Sequence, residues 1–273
     1  MGYASIKTLE FHRKINTEQK ARDIVWQIKF VGKKFICTEC KNESYWEYHA
    51  EPEIRKCKKC EKHVRLRKGT LFENSKTSML TWCRAIHFVM TSQRGVSALE
   101  LQRHLGMNSY GTVWSILHKI RRALQSRDDQ YKLSKVIELD GSGFGNQKTG
   151  NQRRVLVAVE SKDWVDEKGR QKSKAGFAKI FVADETRENA EKFISKNIKP
   201  RSLINTDGGA AFIHINNPDH DYRITDSKQD KINAWLPWVH RFISNAKTWI
   251  LGTHHGVEAK YLDLYSRGIY LQV

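Results

Sequence analysis

Two short cysteine pairs constrain this chain more than anything else in it. "CTEC" supplies Cys37 and Cys40, "CKKC" supplies Cys57 and Cys60, and sixteen residues separate the pairs. A CxxC turn presents two thiolates to one tetrahedral ion, and two such turns complete a closed four-sulfur site of the kind Zn2+ prefers. The intervening NESYWEYHAE is rich in aromatics and suits a β-hairpin. The segment 35–68 therefore reads as a zinc ribbon. With no coordination position left open, its metal is structural. A redox-active CxxC is the competing reading, and the pairing of two at this spacing argues against it. Lys33, Lys34, Lys56, Lys58, Lys59, Arg65, Arg67 and Lys68 surround the ribbon, either as a solvated basic face or as a surface that meets a nucleic-acid backbone. The fifth cysteine, Cys83, falls in the apolar MLTWCRAIHFVM and reads as a buried free thiol.

The charge agrees with a polyanionic partner. Lys and Arg exceed Asp and Glu by 48 to 30, a net charge of +18 spread along 273 residues. Hydrophobic residues make up 39%, enough for real cores, and the length suits two or three modules. No apolar run approaches the roughly 20 residues of a membrane span, and MGYASIKTLEFHRK lacks the apolar stretch of a signal peptide. A cytoplasmic, nucleoid-associated protein is the expectation.

Ahead of the ribbon, Ala21, Ile24, Val25 and Ile28 recur at helical spacing and predict a helix over about 17–29. Behind it, residues 76–125 read as all-helical. "VSALELQRHLGMNSYGTVWSILHKIRRAL" divides at Gly106, a natural C-cap residue. Leu99, Leu101 and Leu105 belong to the first helix, and Asn108 or Ser109 caps the second. In that second helix Tyr110, Val113, Trp114, Leu117, Ile120 and Leu124 form an apolar stripe, with His118, Lys119, Arg121 and Arg122 beside it. Such a pattern fits a helix-turn-helix whose second helix meets DNA through Lys119, Arg121 and Arg122, and it fits a plain helical hairpin equally. SRDDQYKLSK (126–135) is the best boundary candidate.

Beyond it the pattern turns to α/β. Strands are predicted at KVIELDGSGFG (135–145), RRVLVAVES (153–161), FAKIFVA (177–183) and RSLINTDGGAAF (201–212). A helix is predicted at 186–198 with Thr186 as its cap, and another at 237–250 after an irregular insertion. Asp140 and Asp207 end the first and fourth strands. Alone, each is ordinary Asp-Gly turn chemistry. Side by side, both carboxylates project into one cleft and suit Mg2+, in a pair of ions about 4 Å apart that serves phosphoryl transfer. A third ligand would come from the last helix. His240 and Lys247 lie seven apart there and share a face. Periodicity by itself makes His240 a partly buried structural histidine more often than a ligand. His254 and His255 are rivals that read as loop residues.

These stretches, with KGTLFENSKTSMLTWCRAIHFV, LDGSGFG, RRVLVAVE, NTDGGAAF and LPWVHRFISNAKTWILGTHHGV, resemble bacterial insertion-sequence transposases. In that family an N-terminal zinc ribbon precedes a DDE-type, ribonuclease-H-like catalytic domain. The resemblance covers nearly the whole chain. It implies an α/β fold divided as an N-terminal helical segment (1–34), zinc ribbon (35–68), helical DNA-binding segment (69–130) and catalytic domain (131–273). It places Asp140 and Asp207 at the two aspartate positions, His240 at the third and Lys247 at the basic position downstream. The implied cofactors are structural Zn2+ and catalytic Mg2+ or Mn2+. The implied partner is double-stranded DNA, both terminal inverted repeats and target, with Lys58 and Lys59 among the contacts and a homo-oligomer pairing two ends. Two departures stand out. The third ligand is an imidazole, which suits transition metals better than Mg2+, so Mn2+ is expected to support activity relatively well. The ending KYLDLYSRGIYLQV stops where relatives continue a helix. The functional expectation is metal-dependent cleavage at element ends and strand transfer. The alternatives are a catalytically inactive DNA-binding remnant or regulator, and a nuclease on the same fold.

Overall fold

The structure, a computed structural model, describes residues 8–32, 34–92, 95–145, 150, 152–165, 171–215, 218–225, 235–254 and 256–266. The chain divides into two compact units: the main division falls between Ile120 and Arg121, inside one helix, and the second unit also takes in the short segment between Ser92 and Ala98. Lys33, His255 and the end of the chain after Ser266 lie outside the described residues.

The first unit begins with α1 (Thr8–Lys14) and α2 (Glu18–Lys29). Thr17 caps α2 by accepting from the Lys20 amide, as its hydroxyl allows. Ala21, Val25 and Trp26 form the buried face of α2, whereas Ile28 is 72% exposed. The stripe expected from spacing is thus rotated toward Trp26. The ribbon is a three-stranded antiparallel sheet rather than a single hairpin: β1 (Tyr45–Glu47), β2 (Ile54–Cys57) and β3 (His63–Arg65). The Arg55 guanidinium is buried between the Trp26 and Tyr45 rings, 4.4 and 4.5 Å from their centres, which ties α2 to the sheet.

Three helices complete this unit. Ahead of α3 (Met79–Thr91) the Ser78 hydroxyl accepts from the Thr81 amide, and both Glu18 carboxylate oxygens accept from Met79 and Leu80 N–H. α4 (Ala98–Leu105) ends at Gly106, whose φ of 62° is the left-handed turn that glycine enters freely. α5 (Tyr110–Asp128) starts behind Ser109, which accepts from the Thr112 amide. Val113, Ile116, Leu117 and Ile120 are its buried stripe. Tyr110, read as part of the apolar stripe, is 52% exposed, and Leu99 in α4 is 48% exposed.

The second unit is a five-stranded mixed sheet in the order β6-β5-β4-β7-β8. Its strands are β4 (Val136–Phe144), β5 (Arg153–Val165), β6 (Gln171–Val182), β7 (Leu203–Asp207) and β8 (Asp221–Thr225). β4, β5 and β6 form an antiparallel meander, and β7 and β8 add on parallel to β4. β5 and β6 run well past the apolar runs that announced them, because their outer halves pair with each other in a polar ribbon. β8 falls in the stretch read as irregular. Its sequence, DYRIT, has too few apolar residues to stand out, and it sits at a sheet edge.

Helices cover both faces. α6 (Arg187–Asn197), capped by Thr186, packs Ala190, Phe193 and Ile194 onto Ile137, Leu139, Leu156 and Ile204. α7 (Pro237–His254) packs Val239, Phe242, Ile243, Ala246 and Ile250 against Phe144, Val155, Val157 and Val159 on the other face. α8 (Leu262–Ser266) follows. Arg121 belongs to this unit and is 4% exposed. Its guanidinium lies 3.8 Å from the Tyr265 ring centre and donates to the Val96 carbonyl. The expected DNA contact at Arg121 is therefore corrected: the side chain is consumed inside the fold. Arg122, its neighbour, is exposed. Among the described residues no helix is long and apolar enough to cross a membrane.

Candidate active site

The first metal-binding geometry is in the ribbon. Cys37 and Cys60 sulfurs lie 3.4 Å apart and those of Cys40 and Cys57 3.5 Å apart, all four within 4.8 Å of one another and none in a disulfide. A tetrahedron with metal–sulfur bonds of about 2.3 Å has edges of about 3.8 Å, so this cage fits Zn2+. Burial works against a thiolate at Cys57, yet N–H groups of Cys60 and Lys59 and the Asn42 amide bring that thiol down to about 6. The knuckle backbone thus prepares the charged form that a metal needs. Beside the cage, the Lys58 ammonium sits 4.2 Å from the ring of the exposed Trp46, and Lys59 is exposed. Lys119 donates to the Glu73 carbonyl. Arg67 is held by both Glu53 carboxylate oxygens.

The second site lies where the β4–β7 ladder stops, at the end of β7 and, contrary to the expectation of a strand end at Asp140, midway along β4, which runs on to Phe144 beside β5. These strands pair in parallel, with Leu139 opposite Thr206. The next residues along them are Asp140 and Asp207, on neighbouring strands of a ladder whose spacing is about 4.8 Å. A backbone amide holds each carboxylate: Gly141 N–H donates to Asp140 Oδ1 at 2.7 Å, and Gly209 N–H to Asp207 Oδ1 at 3.2 Å. The turn read from Asp-Gly is present at Asp207 alone, since Asp140 and Gly141 both lie inside β4; the amide contact is common to both acids. That contact orients the acids and leaves Oδ2 of each for other work.

His240 comes to them from the first turn of α7, and its Nε2 lies 3.2 Å from Asp140 Oδ2. What fixes that turn is Glu138, a residue the sequence reading passed over. Leu236, at the cap position, accepts the His240 amide but has no side-chain oxygen to offer, and Pro237 has no N–H. The next two amides, Trp238 and Val239, both donate to Glu138 Oε2, at 2.7 and 2.9 Å. Glu138 is 2% exposed and two residues before Asp140, hence on the same sheet face. One carboxylate on β4 therefore docks the helix start that delivers His240 to the next carboxylate on β4. Its signal was available in "IELD": a charge on the face of a strand that packs against a helix.

Replacing Glu138 with alanine leaves two buried amides without their acceptor. We expect a loss of about 2–4 kcal/mol in denaturant unfolding of this unit and a fall in any activity that uses His240. Unchanged unfolding would remove the docking role.

The electrostatics are those of crowded acids. Burial, then the Asp207 charge, pushes Asp140 up to about 7, with the Gly141 amide opposing, Glu185 adding to the rise and Lys247 opposing. His240 is lowered by burial, with Asp207 opposing. Both shifts favour a neutral acid beside a neutral imidazole over an ion pair. A raised folded pKa stabilises below the unfolded value and loses that stabilisation as pH climbs through the folded one. Asp140→Asn should therefore match the wild type near pH 4 and exceed it at pH 8, by about 2–4 kcal/mol as an upper range. Thermal unfolding in chelator at the two pH values checks this, and equal shifts at both would refute it.

Like charges converging with a half-buried imidazole are what a divalent cation relieves, so the donor set fits Mg2+ or Mn2+. Among the described residues only the cysteines pack three or more donors within 4.8 Å, so these side chains do not close on one ion as the thiolates do. That openness suits hard ions that keep several waters. Lys247 lies two turns beyond His240 on α7, is exposed, and has its ammonium 5.8 Å from the Phe144 ring centre. His254 is taken up elsewhere, packing edge-on against Trp249 and Tyr265.

A mixed sheet of this order, helices on both faces and acids side by side on two adjacent parallel strands, defines a ribonuclease-H-like domain of the DDE type. The ISXO2-like transposase domain matches residues 131–270, and the chain belongs to that family. It is thus of the transposase and nuclease class, from a family that acts on DNA with divalent metals. No curated protein matches the chain.

Proposed function

We propose that this chain is an active transposase that cuts DNA at the ends of its own insertion sequence and joins the freed 3′-hydroxyls to target DNA. The observation that supports it best is the parallel pairing of β4 and β7, which sets Asp140 beside Asp207 with His240 3.2 Å from Asp140. Asp140, Asp207 and His240 would hold Mg2+ or Mn2+. Bound there, such ions supply a water of lowered pKa and neutralise charge at the departing oxygen.

The chain's own residues prepare the rest. Gly141 and Gly209 amides fix the carboxylate rotamers. The neutral imidazole favoured by burial is the ligating form of histidine. Lys247 offers a cation to the phosphate of the bound strand. Exchange of one phosphodiester for another needs no external energy source. The ribbon with Lys58 and Lys59 and the α4–α5 pair with Lys119 and Arg122 would recognise the terminal repeats. This keeps the division into helical segment, ribbon, DNA-binding helices and catalytic domain. Two element ends require at least two copies of the chain in one complex.

The test uses the full chain with duplex DNA carrying the element's terminal repeat and a target duplex, in Mg2+ and in Mn2+. Cleaved ends and joined products are expected. Cleaved ends without joined products would make it a nuclease. Repeat binding with neither product in either metal would make it a DNA-binding remnant.

A further inference from the structure

We propose that Glu185, an acid outside the Asp140, Asp207 and His240 set, is a third carboxylate of the metal site, reaching it across the backbone of Gly141. The inference rests on the functional reading above and adds a ligand to it.

Gly141 carries the geometric argument. It follows Asp140 directly, pairs with Leu156 within the regular β4–β5 ladder, and is not among the glycines with positive φ. Backbone conformation therefore gives no reason for glycine there. Space does. A Cβ on Gly141 would lie 2.4 Å from both Cδ and Oε2 of Glu185 and 2.9 Å from Oε1. The Glu185 carboxylate lies against Gly141, which has no side chain to exclude it. Alanine at 141 would have to expel it.

The position of Glu185 is fixed from behind. It immediately precedes Thr186, the cap of α6, whose hydroxyl accepts from the Asn189 amide. α6 is anchored to the opposite sheet face by Phe193 and Ile194. The Arg154 guanidinium reaches Glu185 at 3.6 Å, but Arg154 is 55% exposed, and an ion pair that long and open contributes little. It does not account for a carboxylate laid over the strand beside Asp140. Glu185 is raised by burial, with Arg154 opposing and Asp207 adding to the rise, so it lies within the field of Asp207 as well.

The chemistry completes the argument. An imidazole at the third position leaves Asp140 and Asp207 as the two anionic donors for ions that prefer oxygen. Glu185 restores a third negative charge and a hard oxygen from the opposite side of Asp140 to the one α7 covers. The histidine then costs the site no anion.

Binding, rather than turnover, decides it. Mn2+ is titrated into the zinc-loaded full chain and the free ion is followed by electron paramagnetic resonance. We expect Glu185→Gln to weaken Mn2+ binding about ten-fold or more, or to remove one ion. Asp207→Asn should abolish it and Arg154→Ala should leave it at the wild-type level. A matched thermal transition checks folding, and Glu185→Asp, one methylene shorter, gives the same reading if the glutamine variant does not fold. If Glu185→Gln binds as the wild type while Asp207→Asn does not, Glu185 is no ligand and the functional reading stands. If Arg154→Ala loses as much as Glu185→Gln, the effect belongs to that ion pair and the proposal fails. If neither acid variant changes Mn2+ binding, no metal sits at these acids and the functional reading fails with it.

Discussion

On the proposed function, Asp207→Asn is expected to abolish strand cleavage and joining, by about 10³-fold or more, while the protein folds and binds terminal-repeat DNA as before. The substitution is nearly isosteric. The Gly209 amide keeps an oxygen to donate to, so the turn after β7 survives. What disappears is one formal charge at the end of a strand. A single well-placed electrostatic group in a catalytic site is worth about 10²–10³ in rate, and a metal ligand more, because its loss also empties the site. The fold has no stake in that charge. Asp207 repels Asp140 and so opposes folding if it has any effect. Activity and stability should therefore move in opposite directions, a pattern that general misfolding does not produce. His240→Ala should fall less, since two carboxylates remain. Activity of Asp207→Asn within ten-fold of the wild type would remove this site from the chemistry.

Removing zinc is expected to have the second large effect, confined to the first unit. The ribbon strands have three, four and three residues. A sheet that small does not stand alone in water, and its buried sulfurs repel one another without a cation among them. Structural zinc supplies about 10–16 kcal/mol in comparable four-ligand sites. Chelation, or Cys57→Ser, should melt the ribbon and release terminal-repeat DNA. The sheet unit has its own cores on both faces and should keep its thermal transition. Metal analysis should return one zinc per chain. Acid should mimic the chelator as the thiolates take up protons. A ribbon whose melting is indifferent to chelator would overturn the four-cysteine site.

Much of this was open to reading from the residues. The cysteine spacing announced the cage because a CxxC turn is a local object. Asp140 and Asp207 could be picked out because each follows an apolar strand run and precedes glycine. The parallel neighbouring of those strands was posed as a condition and is met in the ladder between Leu139 and Thr206. Thr17, Thr186 and Ser109 are legible as caps for the same reason: a hydroxyl reaches an amide three residues away.

The misses have a common cause. Arg121 lies in a basic helix, and nothing within that helix says that Tyr265, well over a hundred residues later, will cover it. Ile28 keeps the spacing of α2, but Trp26 offers more apolar area and turns the helix its way. Glu138 acquires its role only where α7 brings two amides and no cap of its own. Glu185 has no local signature at all.

The sequence by itself determined the zinc cage, the caps, the two candidate aspartates and the transposase resemblance, since each is written in neighbours a few residues apart. Only the tertiary structure decided that His240 faces Asp140, that Glu138 docks the helix carrying it, and that Glu185 lies on Gly141. Those are meetings between segments far apart along the chain. They are settled by which surfaces bury together, and a linear pattern of residue types does not encode that choice at any single position.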